Sequence, residues 1–121
     1  MKIKTVEGEF SVCKVQAFSE APFKSAYCFT AKTAEENSLV CPTEVVPSDT
    51  LAREDGWRAF CVEGVLDFSL IGVLAEISSL LAENGIALFA VSTYNTDYIF
   101  TKREQFQSAL DALAAAGYEI G

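Results

Sequence analysis

Residues 2–7 alternate along an extended backbone, with Ile3, Thr5 and Glu7 on one side and Lys4 and Val6 on the other. Gly8 then permits a turn into residues 10–15 (FSVCKV), so two short strands are expected. Residues 18–24 contain Pro22 and no periodicity, the mark of a connecting loop. Residues 25–31 and 37–41 frame a hairpin around Lys32-Thr33-Ala34-Glu35-Glu36, and Pro42 ends its second strand. Pro47, a Ser48-Asp49 start signal and the polar finish Glu54-Asp55-Gly56 give residues 43–56 the pattern of a short helical connector. A further strand follows at 57–62.

In the second half the period changes. Leu70, Val73, Leu74, Ile77 and Leu81 recur at three and four residues, one buried helix face, and Asn84-Gly85 supplies a left-handed stop. Strands at 86–93 and 97–101 flank a polar turn over residues 92–97 (STYNTD). Residues 102–116 make the last helix, with Thr101 and Glu104 as a candidate capping box, Phe106, Leu110 and Leu113 facing inward, and Gly117 as its stop. Residues 118–120 return as a strand. From Trp57 the order is strand, helix, strand, strand, helix, strand: an α+β, ferredoxin-like βαββαβ unit.

The chain also repeats itself. Residues 29–41 (FTAKTAEENSLVC) lie without a gap over residues 89–101 (FAVSTYNTDYIFT), Phe on Phe and Thr33 on Thr93, with apolar positions and turn in step. Upstream, Cys13-Lys14-Val15 matches Cys61-Val62-Glu63 at an offset 12 residues shorter, about 18 Å of helix at 1.5 Å per residue. The first half is therefore expected to be a reduced, mostly β copy of the second that has lost most of its first helix. The two would occupy residues 1–56 and 57–121 and share one core.

Composition narrows what such a fold can do. Half of the 121 residues are hydrophobic, enough for one core, and the net charge of −8 disfavours nucleic-acid backbones and anionic membranes. The start, Met1-Lys2-Ile3-Lys4, lacks the apolar run of a signal peptide, and no apolar stretch reaches the length of a membrane span, so a cytoplasmic location is expected. Cys13, Cys28, Cys41 and Cys61 have no Cys-x-x-Cys spacing and there is no histidine, which leaves no zinc signature, no redox pair and no histidine-based nucleophilic machinery. Buried small apolar side chains are the expected role of the cysteines. Neither a cofactor motif nor a metal-ligand spacing occurs.

One stretch stands out as a place to hold a small molecule. The loop ahead of the first long helix offers amide donors and a partial positive charge to a carboxylate, with Gly72 leaving the backbone uncovered. The facing turn offers Thr93, Asn95, Thr96 and Asp97 for an ammonium or a polar side chain, and Tyr94 as a cover. A plainer reading of the same residues remains open: Ser69 an N-cap, Gly72 a close-packing residue, Asp97 a turn acid. An acid–base pair of Asp67 and Asp97 would be the enzymatic reading, but turn aspartates commonly cap backbone, and no enzyme is expected.

Residues 64–120, through Gly72-Val73-Leu74-Ala75-Glu76-Ile77 and Val91-Ser92-Thr93-Tyr94-Asn95-Thr96-Asp97-Tyr98-Ile99, resemble an ACT domain, the regulatory amino-acid-binding module of aspartate kinases and many biosynthetic enzymes. The same run is similar to the aspartate-kinase-like ACT proteins that include the CASTOR-type arginine sensors, and residues 33–41 resemble the N-terminal hairpin of small bacterial members of that group. The resemblance implies a non-catalytic regulator that holds a free amino acid between ACT units, with contacts at Asp67, Gly72, Val73, Thr93, Tyr94, Asn95, Thr96 and Asp97. With one full and one reduced copy per chain, a composite site implies a homodimer. The absence of a kinase domain implies action on a separate partner. Two carboxylates suit a cationic amino acid, and the competing expectation is a ligand-free module that uses the fold for protein contacts.

Overall fold

A computed structural model describes residues 1–63 and 72–121. The elements are β1 (Lys2–Val15), β2 (Phe29–Lys32), β3 (Asn37–Pro42), a 3-10 turn (Thr43–Val45), β4 (Thr50–Val62), α1 (Val73–Glu83), β5 (Leu88–Ser92), β6 (Asp97–Lys102), α2 (Arg103–Ala115) and β7 (Glu119–Ile120). They divide into two compact units, one of Met1–Glu7 with Arg58–Gly121 and one of Gly8–Trp57. Strands β1 and β4 contribute residues to both.

The first unit carries both helices. Its strand order is β5-β6-β4-β1, with β7 on the other side of β1, where Lys2 pairs with Glu119 and Ile3 with Ile120 in parallel. This is the expected ferredoxin-like sheet with one addition: the N-terminal strand lies between the last strand and the first. Ile3 is fully buried, in a cluster with Phe60, Ile77, Leu81, Ile99, Phe106 and Leu113. The two helices therefore present the apolar faces that their three- and four-residue spacing predicts. Arg58 adds its guanidinium over the Phe106 ring, 4.4 Å from the centroid.

The second unit is a four-stranded sheet in the order β2-β3-β1-β4, the same ferredoxin-like order with neither long helix. Residues 16–28 form turns instead of a first helix, and Phe18, Ala21 and Cys28 from this segment pack over Cys13, Val15, Leu39 and Cys41. The second helix is reduced to one 3-10 turn whose start, Thr43, lies 60 residues before Arg103, the start of α2. Buried Ser11 holds that turn: its hydroxyl donates to Asp55, so the Thr43 hydroxyl, 2.9 Å away, donates to it. Arg53 forks onto the same carboxylate.

Several local expectations are corrected. The turn expected at Gly8 is absent, because Gly8 sits inside β1 with φ 88, a kink that glycine accommodates while pairing continues on both sides. The helical connector over residues 43–56 is the 3-10 turn followed by strand from Thr50. Of the 25–31 strand only the end is extended, from Phe29. The Thr101–Glu104 capping box does not form: β6 runs on to Lys102, which is the N-cap of α2, and Thr101 is fully buried with no partner for its hydroxyl among the described residues. Leu70 and Ser69, expected at the helix start, lie outside the described residues.

The repeat is reproduced in the register. Phe29 pairs with Val40 and Lys32 with Asn37, while Phe89 pairs with Phe100 and Ser92 with Asp97, each pair 60 residues after its counterpart. Each turn closes the same way, with Thr33 N–H donating to Glu36 O and Thr93 N–H to Thr96 O, both at 2.9 Å.

Candidate functional site

Gly72 is the N-cap of α1. Its φ of 87 and ψ of 3 lie in the left-handed region, and its carbonyl accepts the Glu76 N–H at 2.8 Å. No described residue comes within 4 Å of where a Cβ would stand, so the demand for glycine is set by backbone conformation. Among the described residues no side chain caps the helix start, where the first amides and the positive end of the helix dipole suit an anionic group.

Val73, the first helical residue, is half-buried and lines a cavity of about 310 Å³ with Met1, Glu76, Ala116, Gly117 and Tyr118. Across it the Tyr118 hydroxyl donates to Glu76 Oε1 at 2.7 Å. Burial, and secondarily the bond to Glu76, pushes this phenol up to about 12, so it stays a donor at neutral pH. Sequence reasoning missed this pair, since nothing in the pattern links a helix residue to one 42 positions later.

At the hairpin tip the polar groups first satisfy one another. The Thr93 hydroxyl donates to Thr96 O at 2.9 Å and accepts from Thr96 N–H at 3.3 Å. Thr96 is 8% exposed, and its own hydroxyl donates to the Val62 carbonyl, 2.9 Å away at the last residue of β4. Asp97 is half-buried and accepts from the Ser92 hydroxyl at 2.6 Å. The register sets those two directly opposite, a pairing readable from the strand ends alone. Tyr94, 82% exposed, and Asn95, also exposed, point outward.

Thr93 and Thr96 are bonded to each other, Asp97 is bonded to Ser92, and Thr96 ties the tip to the last residue of β4. Asp67 lies outside the described residues. No group of three or more cysteine, aspartate or glutamate side chains is arranged to hold a metal among the described residues, and no helix among them is long and apolar enough to cross a membrane.

The βαββαβ order places the chain in the class of α+β, ferredoxin-like domains. The ACT domain model matches residues 52–115, more than half of the chain, and the chain belongs to the ACT domain family. Among solved structures it is similar to a protein of Agobacterium tumefaciens, at 27% identity and a TM-score of 0.85 over 99% of this chain and 91% of the other. A Vibrio cholerae protein of unknown function has 22% identity and a TM-score of 0.74, covering 94% and 88%. The ligand-free regulatory subunit of aspartate kinase from Thermus thermophilus shares the fold at 10% identity, with a TM-score of 0.66 over 97% of each chain. No curated protein matches.

Proposed function

We propose that this chain is a non-catalytic regulatory protein that binds a free amino acid and responds by shifting the population of a partner-binding state. The observation that carries the proposal is the uncapped, left-handed Gly72 start of α1, in the same unit as a hairpin tip anchored to the end of β4. In this reading the amides at Gly72 and Val73 meet the ligand carboxylate, and Asp97, with Asp67, meets its ammonium or a cationic side chain. Tyr94 and Asn95 cover the ligand, while Thr93 and Thr96 hold the tip that presents Asp97. The same region of a second copy completes the site, which makes the working form a cytoplasmic homodimer. The two carboxylates, Asp67 and Asp97, favour a cationic amino acid.

Exposed Tyr94 also suits a ligand-free module that docks another protein. Thermal-shift measurements with each proteinogenic amino acid separate the two. A true effector at 100 times its Kd stabilises the folded protein by about 2.7 kcal/mol, and Asp97→Asn removes the shift. If no amino acid raises the melting temperature and Asp97→Ala changes only the oligomeric state, the docking reading replaces the sensor.

A further inference from the structure

Three of the four cysteines gather in the unit of residues 8–57. Cys13 on β1 and Cys41 on β3 are buried, and half-buried Cys28, at the end of the turn segment, packs against them. The strand register says how they face. Phe29 pairs with Val40 at the end of the ladder, and continuing that register by one residue would set Cys28 opposite Cys41. The turn fixes the phase of that ladder. The Thr33 N–H to Glu36 O bond marks a hydrogen-bonded pair, alternation makes Phe29 and Val40 another, and Cys28 and Cys41 then fall at a non-hydrogen-bonded position. At such positions Cα atoms stand about 4.5 Å apart with side chains at their closest, inside the roughly 4.4–6.8 Å that a disulfide spans. Cys13 pairs with Leu39, so it lies diagonally from Cys41, where typical separations grow to about 7–8 Å.

We propose that Cys28 and Cys41 are a thiol-oxidation site, closing reversibly to a cross-strand disulfide when the protein meets a small disulfide oxidant. The Cys28 thiolate attacks one sulfur of the oxidant, whose S–S bond breaks to release one thiolate and leave a mixed disulfide on Cys28. Cys41, its proton passed to solvent, then attacks the Cys28 sulfur and expels the second thiolate. Two protein thiols are oxidised and one oxidant disulfide is reduced to two thiols. The bond would fasten the turn segment that replaces the first helix onto β3. Burial raises both thiols, Cys41 to about 12, so the reaction is slow at neutral pH and quickens as pH rises.

The test is to incubate the full chain with oxidised glutathione at pH 7 and pH 9, block free thiols under denaturing conditions and map the linked peptides by mass. A Cys28–Cys41 link is expected, with a loss of about 2 Da, reversal by dithiothreitol, and a rate about tenfold higher per pH unit. Cys28→Ser and Cys41→Ala should prevent the link, whereas Cys13→Ser and Cys61→Ser should keep it. Peptide mapping of the wild-type chain decides the matter even where a core variant folds poorly. A link between Cys13 and Cys41, a glutathione adduct that stays on Cys28, or four unmodified thiols would overturn the proposal.

Discussion

The Thr96 hydroxyl donates to the Val62 carbonyl at 2.9 Å, a buried bond that joins the tip of the β5–β6 hairpin to the last residue of β4. Thr96→Val keeps the shape of the side chain but strands the Val62 carbonyl without its donor. Leaving a buried acceptor unsatisfied costs about 1–3 kcal/mol. Chemical denaturation should show that loss for Thr96→Val and a much smaller one for Thr96→Ser, which keeps the hydroxyl. Equal losses in the two variants would mean that the methyl group, and not the bond, secures the tip.

Gly72 makes a different kind of demand. Its left-handed φ of 87 is strained for any residue with a Cβ, yet among the described residues nothing lies within 4 Å of where that Cβ would go. Gly72→Ala should therefore cost about 1–2 kcal/mol of stability through the backbone alone. Asn, which tolerates the left-handed region, should cost less. The order Gly, Asn, Ala in melting temperature checks this, and an Ala variant as stable as the parent would mean that the helix starts elsewhere in solution.

Alkaline conditions should weaken the fold at two identified groups. Cys41 is raised from 9.0 to about 12, first by burial, and Tyr118 from 10.0 to about 12, again chiefly by burial and then by its bond to Glu76. In both cases the folded state holds the proton more tightly than the unfolded chain does. Their contribution is therefore complete below about pH 9 and is lost as pH climbs from there through 12, at no more than about 1.4 kcal/mol per pH unit for each group. Unfolding free energies measured from pH 7 to 11 should fall above pH 9. Cys41→Ala and Tyr118→Phe should each flatten the decline, and a flat profile in the parent chain would remove both groups from the account.

What could be read from the sequence follows from how far each signal reaches. The βαββαβ order and the inward faces of both helices were legible because Ile77, Leu81, Phe106, Leu110 and Leu113 repeat within single elements. The hairpin repeat was legible because a turn and its flanking strands fix register locally. The insertion of residues 2–7 between β4 and β7 was not, since the β7 partner of Ile3, Ile120, lies more than a hundred positions away and a glycine at position 8 looks like a turn whether the strand bends or ends. Thr101 misled for a related reason. A threonine three residues before a glutamate satisfies the capping pattern, but strand pairing carried it into the core first. At the candidate site, the tip residues could be named by type, while the way Thr93 and Thr96 bond inward, leaving Tyr94 and Asn95 exposed, depended on contacts that no spacing encodes.

The two turns offer a test of whether the reduced unit still behaves as a copy of the full one. Thr33 Oγ1 accepts from Glu35 N–H at 3.1 Å and Glu36 N–H at 3.2 Å, and Thr93 Oγ1 accepts from Thr96 N–H at 3.3 Å while donating to Thr96 O. Each threonine thus closes its turn through the same side-chain oxygen. Alanine at either position should cost about 0.5–1.5 kcal/mol, the net worth of such bonds, with Thr93→Ala the larger because its bonds are partly buried and those of Thr33 are exposed. The two residues share no bonding partner, so the double variant should lose the sum of the single losses to within about 0.5 kcal/mol. A coupling of more than about 1 kcal/mol in the cycle would show that the tips report on one another, and repeating the cycle with an effector amino acid present would show whether binding creates that link.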